Sequence, residues 1–191
     1  MRRIDTALAY NLRRRVRFEW YRLLSRTGVV RGLRLSSRGI VGSRNSMKVD
    51  RGGSLTIGSR LVTGDDVTFS AHGEVTIGDD VFFNSRSRVV CHDRVTIGDH
   101  LRIAQDVAIL DHEHRTVMRD GHLEISDDEF DTAPIAIGSG VVLGDKVTVL
   151  KGVTIGDNVI VGANSVVSRD LPSDCVAVGA PARVVRKLID D

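Results

Sequence analysis

The sequence predicts an all-β fold: a solenoid of short parallel strands wound into a triangular prism, preceded by an amphipathic helix and followed by a short C-terminal tail. Two observations predict it. An aliphatic residue returns every six positions between residues 57 and 168, often followed by glycine, most clearly at Ile57-Gly58, Ile77-Gly78, Ile97-Gly98, Ile137-Gly138 and Ile155-Gly156. The same spacing continues between these copies through Phe83, Val89, Ile103, Ile109, Leu143, Val149, Val161 and Val167. Self-similarity at a fixed period is the mark of a repeat architecture. The second observation is the distance between strong copies, 20 residues from Ile57 to Ile77 and from Ile77 to Ile97, and 18 from Ile137 to Ile155. Three hexads therefore complete one coil. Each side of the prism is a short strand whose apolar leader points to the axis, and glycine relieves crowding at corners with unusual torsions.

Taken in order, residues 1–38 form a basic N-terminal segment and residues 39–188 the solenoid. The first segment holds eleven Arg against only Asp5 and Glu19, a charge of +9, so the rest of the chain carries −7 to reach the overall +2. Within it Ile4, Leu8, Leu12, Val16, Trp20 and Leu24 recur every four residues, which reads as one amphipathic helix with a basic opposite face. Two roles are open to such a helix. It caps the prism or packs on a neighbouring chain, as terminal repeats require, or it lies at an anionic membrane surface and gives the protein peripheral membrane contact. Nucleic acid is not an expected partner, since no aromatic interleaving or recognition motif accompanies the arginines.

The hexads then run in coils whose two extra residues sit in the corners His72-Gly73-Glu74 and His92-Asp93-Arg94. His72, His92 and His112 are each 20 residues apart and should stack at one corner, at about 4.8 Å per rung. By the same arithmetic His114 falls in the register of Glu74 and Arg94. The repeat breaks once. From Ile97 to Ile137 is 40 residues, one coil plus an excursion over 111–134 that opens with Leu110-Asp111-His112-Glu113-His114-Arg115 and holds three of the six histidines. Loops that interrupt a rigid scaffold are where function concentrates, and this one is longer than a connection requires.

Composition narrows the function classes. The 41% apolar content suffices for a narrow continuous core, and the 4% aromatic content is what stacked Ile, Val and Leu allow. Cys91 and Cys175 have neither metal-ligand spacing nor a disulfide framework, which favours a reducing, cytoplasmic setting. No apolar run reaches membrane-spanning length, and no signal-peptide core follows the basic start. A column of three histidines on successive rungs is a poor match to a tetrahedral metal site, so no metal is expected. His112 and His114 instead stand beside Asp111 and Glu113, either of which could orient an imidazole. A neutral histidine, with an ordinary pKa near ~6.5, can accept a hydroxyl proton. No Ser or Cys elbow is paired with them, which favours direct attack by an acceptor hydroxyl over a covalent intermediate.

These residues carry a resemblance. The repeats, the run Asp111-His112-Glu113-His114-Arg115, and the closing stretch from Pro134-Ile135-Ala136-Ile137-Gly138 through Gly162-Ala163-Asn164-Ser165-Val166-Val167 to Gly179-Ala180-Pro181-Ala182-Arg183 resemble the hexapeptide-repeat O-acetyltransferases of the maltose, galactoside, nodulation-factor and xenobiotic group, over about residues 55–188. The resemblance implies a left-handed parallel β-helix, an exception to the right-handed crossover preference, and a homotrimer with active sites between chains. It implies acetyl-CoA as co-substrate. Counting without gaps from Ile97-Gly98 it makes His114 the base, and from Ile77-Gly78 it makes Asn84 an acceptor contact, with Asp111 and His112 beside them.

For the donor, the resemblance brings in Gly144, Asp145, Ala163, Ser168, Arg169, Arg183 and Arg186; guanidinium groups match phosphate oxygens. Asp145 departs from the small neutral residue common at its position. The Asp-His-Glu-His run is similar to that of enzymes acetylating polysaccharides, lipopolysaccharide or glycolipids, so a carbohydrate or glycolipid acceptor is expected. Two other classes are weighed: a γ-carbonic-anhydrase-like metalloenzyme, whose His-Gly-Cys element is absent while Cys91-His92 stands in the reverse order, and a catalytically silent trimeric scaffold.

Overall fold

The computed structural model describes residues 4–36 and 38–188, with side chains described from residue 11 onward in the first helix. Helix α1 (Ile4–Arg26) leads into three parallel faces. Face A runs in six strands from Leu33–Leu35 to Thr154–Ile155, and face C in six from Ser46–Val49 to Val166–Val167. Face B has eight, from Gly39–Ile40 to Ala182–Lys187. Each rung visits A, B and C in turn, and every pairing between successive coils is parallel in register, as in Leu55 with Val75 and Ile57 with Ile77. The parallel β-helix expected from the hexads is the fold.

Its core is a set of vertical stacks. Leu55, Val75, Val95 and Ile135 line face A, and Phe83, Ile103, Leu143 and Val161 line face B, each no more than 1% exposed. Phe69 and Phe83, from faces C and B, meet edge to face with ring centroids 5.0 Å apart. The prism begins at Leu33, inside the 1–38 segment read as helical, because the helix ends at Arg26. At the other end, Ala182–Lys187 is no loose tail: it folds back antiparallel on Cys175–Gly179.

The corner glycines relieve crowding, as expected, but do not themselves hold the unusual torsions. A Cβ on Gly58 would lie 2.7 Å from the Gly78 carbonyl carbon of the next coil, so glycine is there for close approach. The left-handed backbone position comes two residues later and is filled by Arg60, Asp80, His100 and Asn158, at φ 58, 55, 59 and 55°. Asp and Asn tolerate that region better than most residues, and Arg and His accept it at modest cost. Side chains then tie the corners together: Asp79, Asp99 and Asp157 each accept a backbone N–H from the preceding coil at 2.7 Å.

The helix faces the opposite way from a simple apolar-in reading. Phe18 is 1% exposed and packs where Gly39 leaves room; a Cβ there would sit 2.4 Å from the ring. Tyr21 donates its hydroxyl to the Asn45 carbonyl at 3.0 Å, and Arg14 and Arg17 donate to Thr63 and Val41 carbonyls. The stripe Leu12, Val16 and Trp20 instead points to solvent, and Leu24 is half-buried. The Ile4 and Leu8 side chains lie outside the described residues. Inward arginines succeed because their heads reach backbone carbonyls at the prism rim while their stems cover apolar surface.

Candidate active site

The excursion is a second structure rather than an irregular loop. His112–Arg119 and His122–Thr132 form an antiparallel hairpin standing off the prism. Its two-residue turn is Asp120-Gly121, both at positive φ (48° and 79°), the pair that such hairpin turns favour. Asp-Gly flanked by Val117, Met118, Leu123 and Ile125 was the readable signal.

Asp111 anchors the hairpin. It is fully buried, and its two carboxylate oxygens accept the backbone N–H groups of His92 at 2.8 Å and Asp93 at 2.9 Å. The His112 Nδ1 donates to Asp111 at 3.2 Å. The expected histidine column is present, descending from His112 beside the anchor, with ring centroids 4.3 Å apart for His72 and His92 and 4.1 Å for His92 and His112. Phe130 closes over it, 4.1 Å from His92 and 4.7 Å from His114. Two of the three histidines spend their Nδ1 on carboxylates, His72 on Asp50 at 2.6 Å and His112 on Asp111. Among the described residues no group of three His, Cys, Asp or Glu side chains is set to hold a metal.

His114 leaves the register assigned to it. Arg94 pairs with Glu74 below, and since Val95 pairs with Ile135, the place above Arg94 belongs to Pro134. The chain has already turned out at Asp111, which carries His114 into the hairpin opposite Phe130. A bulge between His114 and Thr116 leaves Ser126 to Glu129 outside the ladder pairing. The His114 Nδ1 lies 2.9 Å from the Ser126 carbonyl oxygen. A carbonyl only accepts, so Nδ1 carries the proton, and in the neutral ring Nε2 is left with a free lone pair. Lys151 pins the adjacent Glu113 at 2.9 Å.

Electrostatics at the column follow from crowding. Burial, then the neighbouring His112 and His72 rings, hold His92 below the ordinary histidine value. Burial, reinforced by the Asp111 carboxylate, pushes the Cys91 thiol up, so it stays protonated, donating to the Glu74 carbonyl. For His92 the unfolded chain, titrating near ~6.5, takes up its proton before the folded one does. Stability is therefore untouched above that pH and falls as pH drops below it. The thermal midpoint should decline on acidification, and His92→Gln should shed part of the decline; equal slopes in the two proteins would contradict the assignment.

The remaining expected site residues divide between prism edges. Asn84, Gly144, Asp145 and Ala163 occupy the edge between faces B and C, whereas His112, His114, Ser168 and Arg169 belong to the edge between C and A. One strand of face C, such as the four residues Arg88–Cys91, separates them by roughly 13 Å. Within one chain they do not meet. Asn84 accepts the Ser85 N–H at 2.8 Å. Asp145 spends one oxygen on the Gln105 N–H at 2.7 Å, the corner tie seen throughout the prism, which accounts for an acid at that position. A Cβ on Gly144 would meet the Ala163 backbone nitrogen at 2.7 Å, so glycine lets the two coils approach closely there, and Ala163 itself is exposed. Arg183 and Arg186 are exposed on the last strand of face B.

Known proteins are similar to this chain in sequence and in fold. Residues 134–169 match the bacterial transferase hexapeptide (six repeats) family. A probable acetyltransferase of Mycobacterium tuberculosis is 37% identical over 146 residues, 76% of this chain and 41% of that protein. The galactoside O-acetyltransferase of Escherichia coli is 44% identical over 57 residues, 30% of this chain and 28% of the relative. A hexapeptide-repeat acetyltransferase of Vibrio cholerae, solved with acetyl coenzyme A, superposes with a TM-score of 0.58 at 25% identity, covering 91% of this chain and 77% of that one. The chain thus spans less than half the length of these curated relatives. In sequence and in fold it resembles the hexapeptide-repeat acetyltransferases.

Proposed function

We propose that this chain transfers the acetyl group of acetyl-CoA to a hydroxyl of a sugar, on a glycan or glycolipid, in sites completed between the chains of a homotrimer. The observation that carries the reading is the His114 ring, whose Nδ1 is committed to the Ser126 carbonyl while Nε2 keeps its lone pair. In this reading Nε2 takes the proton of the acceptor hydroxyl as its oxygen attacks the thioester carbon. The C–S bond then breaks, and the proton passes to the departing thiolate to give free CoA and an acetyl ester. His112, oriented by Asp111, borders the acceptor. The exposed arginines 183 and 186 suit the phosphates of CoA, and the exposed Ala163, packed against Gly144, suits its pantetheine arm. The relatives named as acetyltransferases, and the neighbour solved with acetyl coenzyme A, support the donor.

The trimer is favoured by the division of residues between edges. If the B/C edge of one copy lies against the C/A edge of the next, Asn84 and Gly144 face His114, and a threefold ring closes the arrangement. The exposed hairpin face of Met118, Leu123 and Ile125, 60–64% exposed in the single chain, suits the same neighbour.

The test is CoA thiol release from acetyl-CoA by the purified protein against a panel of glycosides and lipid-linked sugars. Release that depends on an acceptor, with one acetyl group gained by that acceptor, is the expected result. Acceptor-independent hydrolysis, or stoichiometric zinc whose removal abolishes activity, would overturn it.

A further inference from the structure

We propose that helix α1 is a docking element for an anionic phospholipid surface, separate from the transfer site. At the helical pitch of 100° per residue, Leu12, Leu23, Val16 and Trp20 fall within an arc of about 80°. Phe18 and Tyr21, which hold the helix on the prism, lie on the far side. The outward residues are fully formed as a stripe: Leu12 is 60%, Val16 61%, Trp20 59% and Leu23 52% exposed. Val29, just after the helix, is also exposed, at 70%. A soluble helix turns such a stripe inward; here the opposite side is already spent on the prism.

The flanks say what covers it. Arg13 borders the stripe on one side and Arg15 and Arg26 on the other, all exposed. The one acid at the border, Glu19, is paired with Arg22 at 2.5 Å. A groove of about 650 Å³ between the helix and face B, on the Arg15 side of the stripe, carries Arg15, Arg38 and Arg60 against Glu19 and Asp80. A stripe of Trp, Leu and Val bordered by arginines fits the boundary of an anionic bilayer, with the apolar side chains among the acyl chains and the guanidinium groups at the phosphates. A second copy meeting the stripe face to face would press these like-charged flanks together. No helix among the described residues is long and apolar enough to cross a membrane, which leaves docking in the plane of the surface.

Trp20, the single tryptophan of the chain, is a built-in reporter. Vesicles of phosphatidylcholine containing phosphatidylglycerol should blue-shift its emission and co-sediment the full-length protein. Phosphatidylcholine alone, or the anionic vesicles in ~1 M salt, should bind at least about tenfold less. Arg13→Gln with Arg15→Gln, and separately Leu12→Ser with Val16→Ser, should each weaken binding at least about tenfold while the strand signal in circular dichroism is unchanged. Failure of the wild-type protein to bind anionic vesicles sinks the proposal. So does a change in sedimentation mass in the Leu12→Ser, Val16→Ser protein without vesicles, which would assign the stripe to a contact between copies.

Discussion

Replacing His114 with alanine should lower the rate of acetyl transfer at least about a hundredfold, and by up to about ten-thousandfold, the range for loss of a positioned general base. The loss should fall on kcat, with the KM for acetyl-CoA little changed, because the lone pair on Nε2 contributes to the transition state and not to donor binding. The ring sits on an exposed hairpin strand outside the core stacks, so the prism should keep its thermal midpoint. His112→Ala is the control that separates the two histidines. It should leave more activity, since the His112 Nδ1 faces Asp111 and its ring is packed in the column. Steady-state thiol release with a productive acceptor measures both. A His114→Ala protein retaining most of the wild-type kcat would remove the base from this residue.

Asp111→Ala should cost about 2–5 kcal/mol of stability, because it strips acceptors from two backbone N–H groups, each worth about 1–3 kcal/mol when left unpaired. The carboxylate is fully buried and joins His92, Asp93 and His112 at the foot of the hairpin. Its removal should therefore loosen the hairpin as well as the coil beneath. Denaturant midpoints at constant slope give the first effect. Faster amide exchange across His112 to Thr132 than across the coils gives the second. Asp111→Asn, which keeps one acceptor oxygen, should fall between alanine and wild type. A loss below about 1 kcal/mol for alanine would mean that solvent reaches the freed N–H groups.

How far the sequence carried this picture depended on whether a feature followed from the repeat. Coil length followed directly, and with it the stack of His72, His92 and His112, because a 20-residue spacing puts equivalent corners above one another. His114 did not, since the arithmetic assumes the chain stays on the prism and it leaves at Asp111. The hairpin was written in Asp120-Gly121 but masked by its acidic, weakly alternating strands. The side of α1 that meets the prism was not legible either. Periodicity marks a stripe without saying where the rest of the fold lies, and here one aromatic ring seated over the missing Cβ of Gly39 decides it. The division of the site between edges needed the corners assigned to faces, and only the strand pairings supply that.

A parallel solenoid resembles a one-dimensional crystal: each rung presents to the next the surface on which it grew, and nothing in the repeat says where growth stops. In this chain, growth is halted at one end by Phe18 and its helix laid against the first strand of face B, and at the other by a strand that reverses direction and breaks the parallel template. Helix α1 is thus a terminator as well as a surface. Cutting it away would leave the first rung as a naked growth face, and the resulting filaments or aggregates would be a failure of termination rather than a sign of lost attachment.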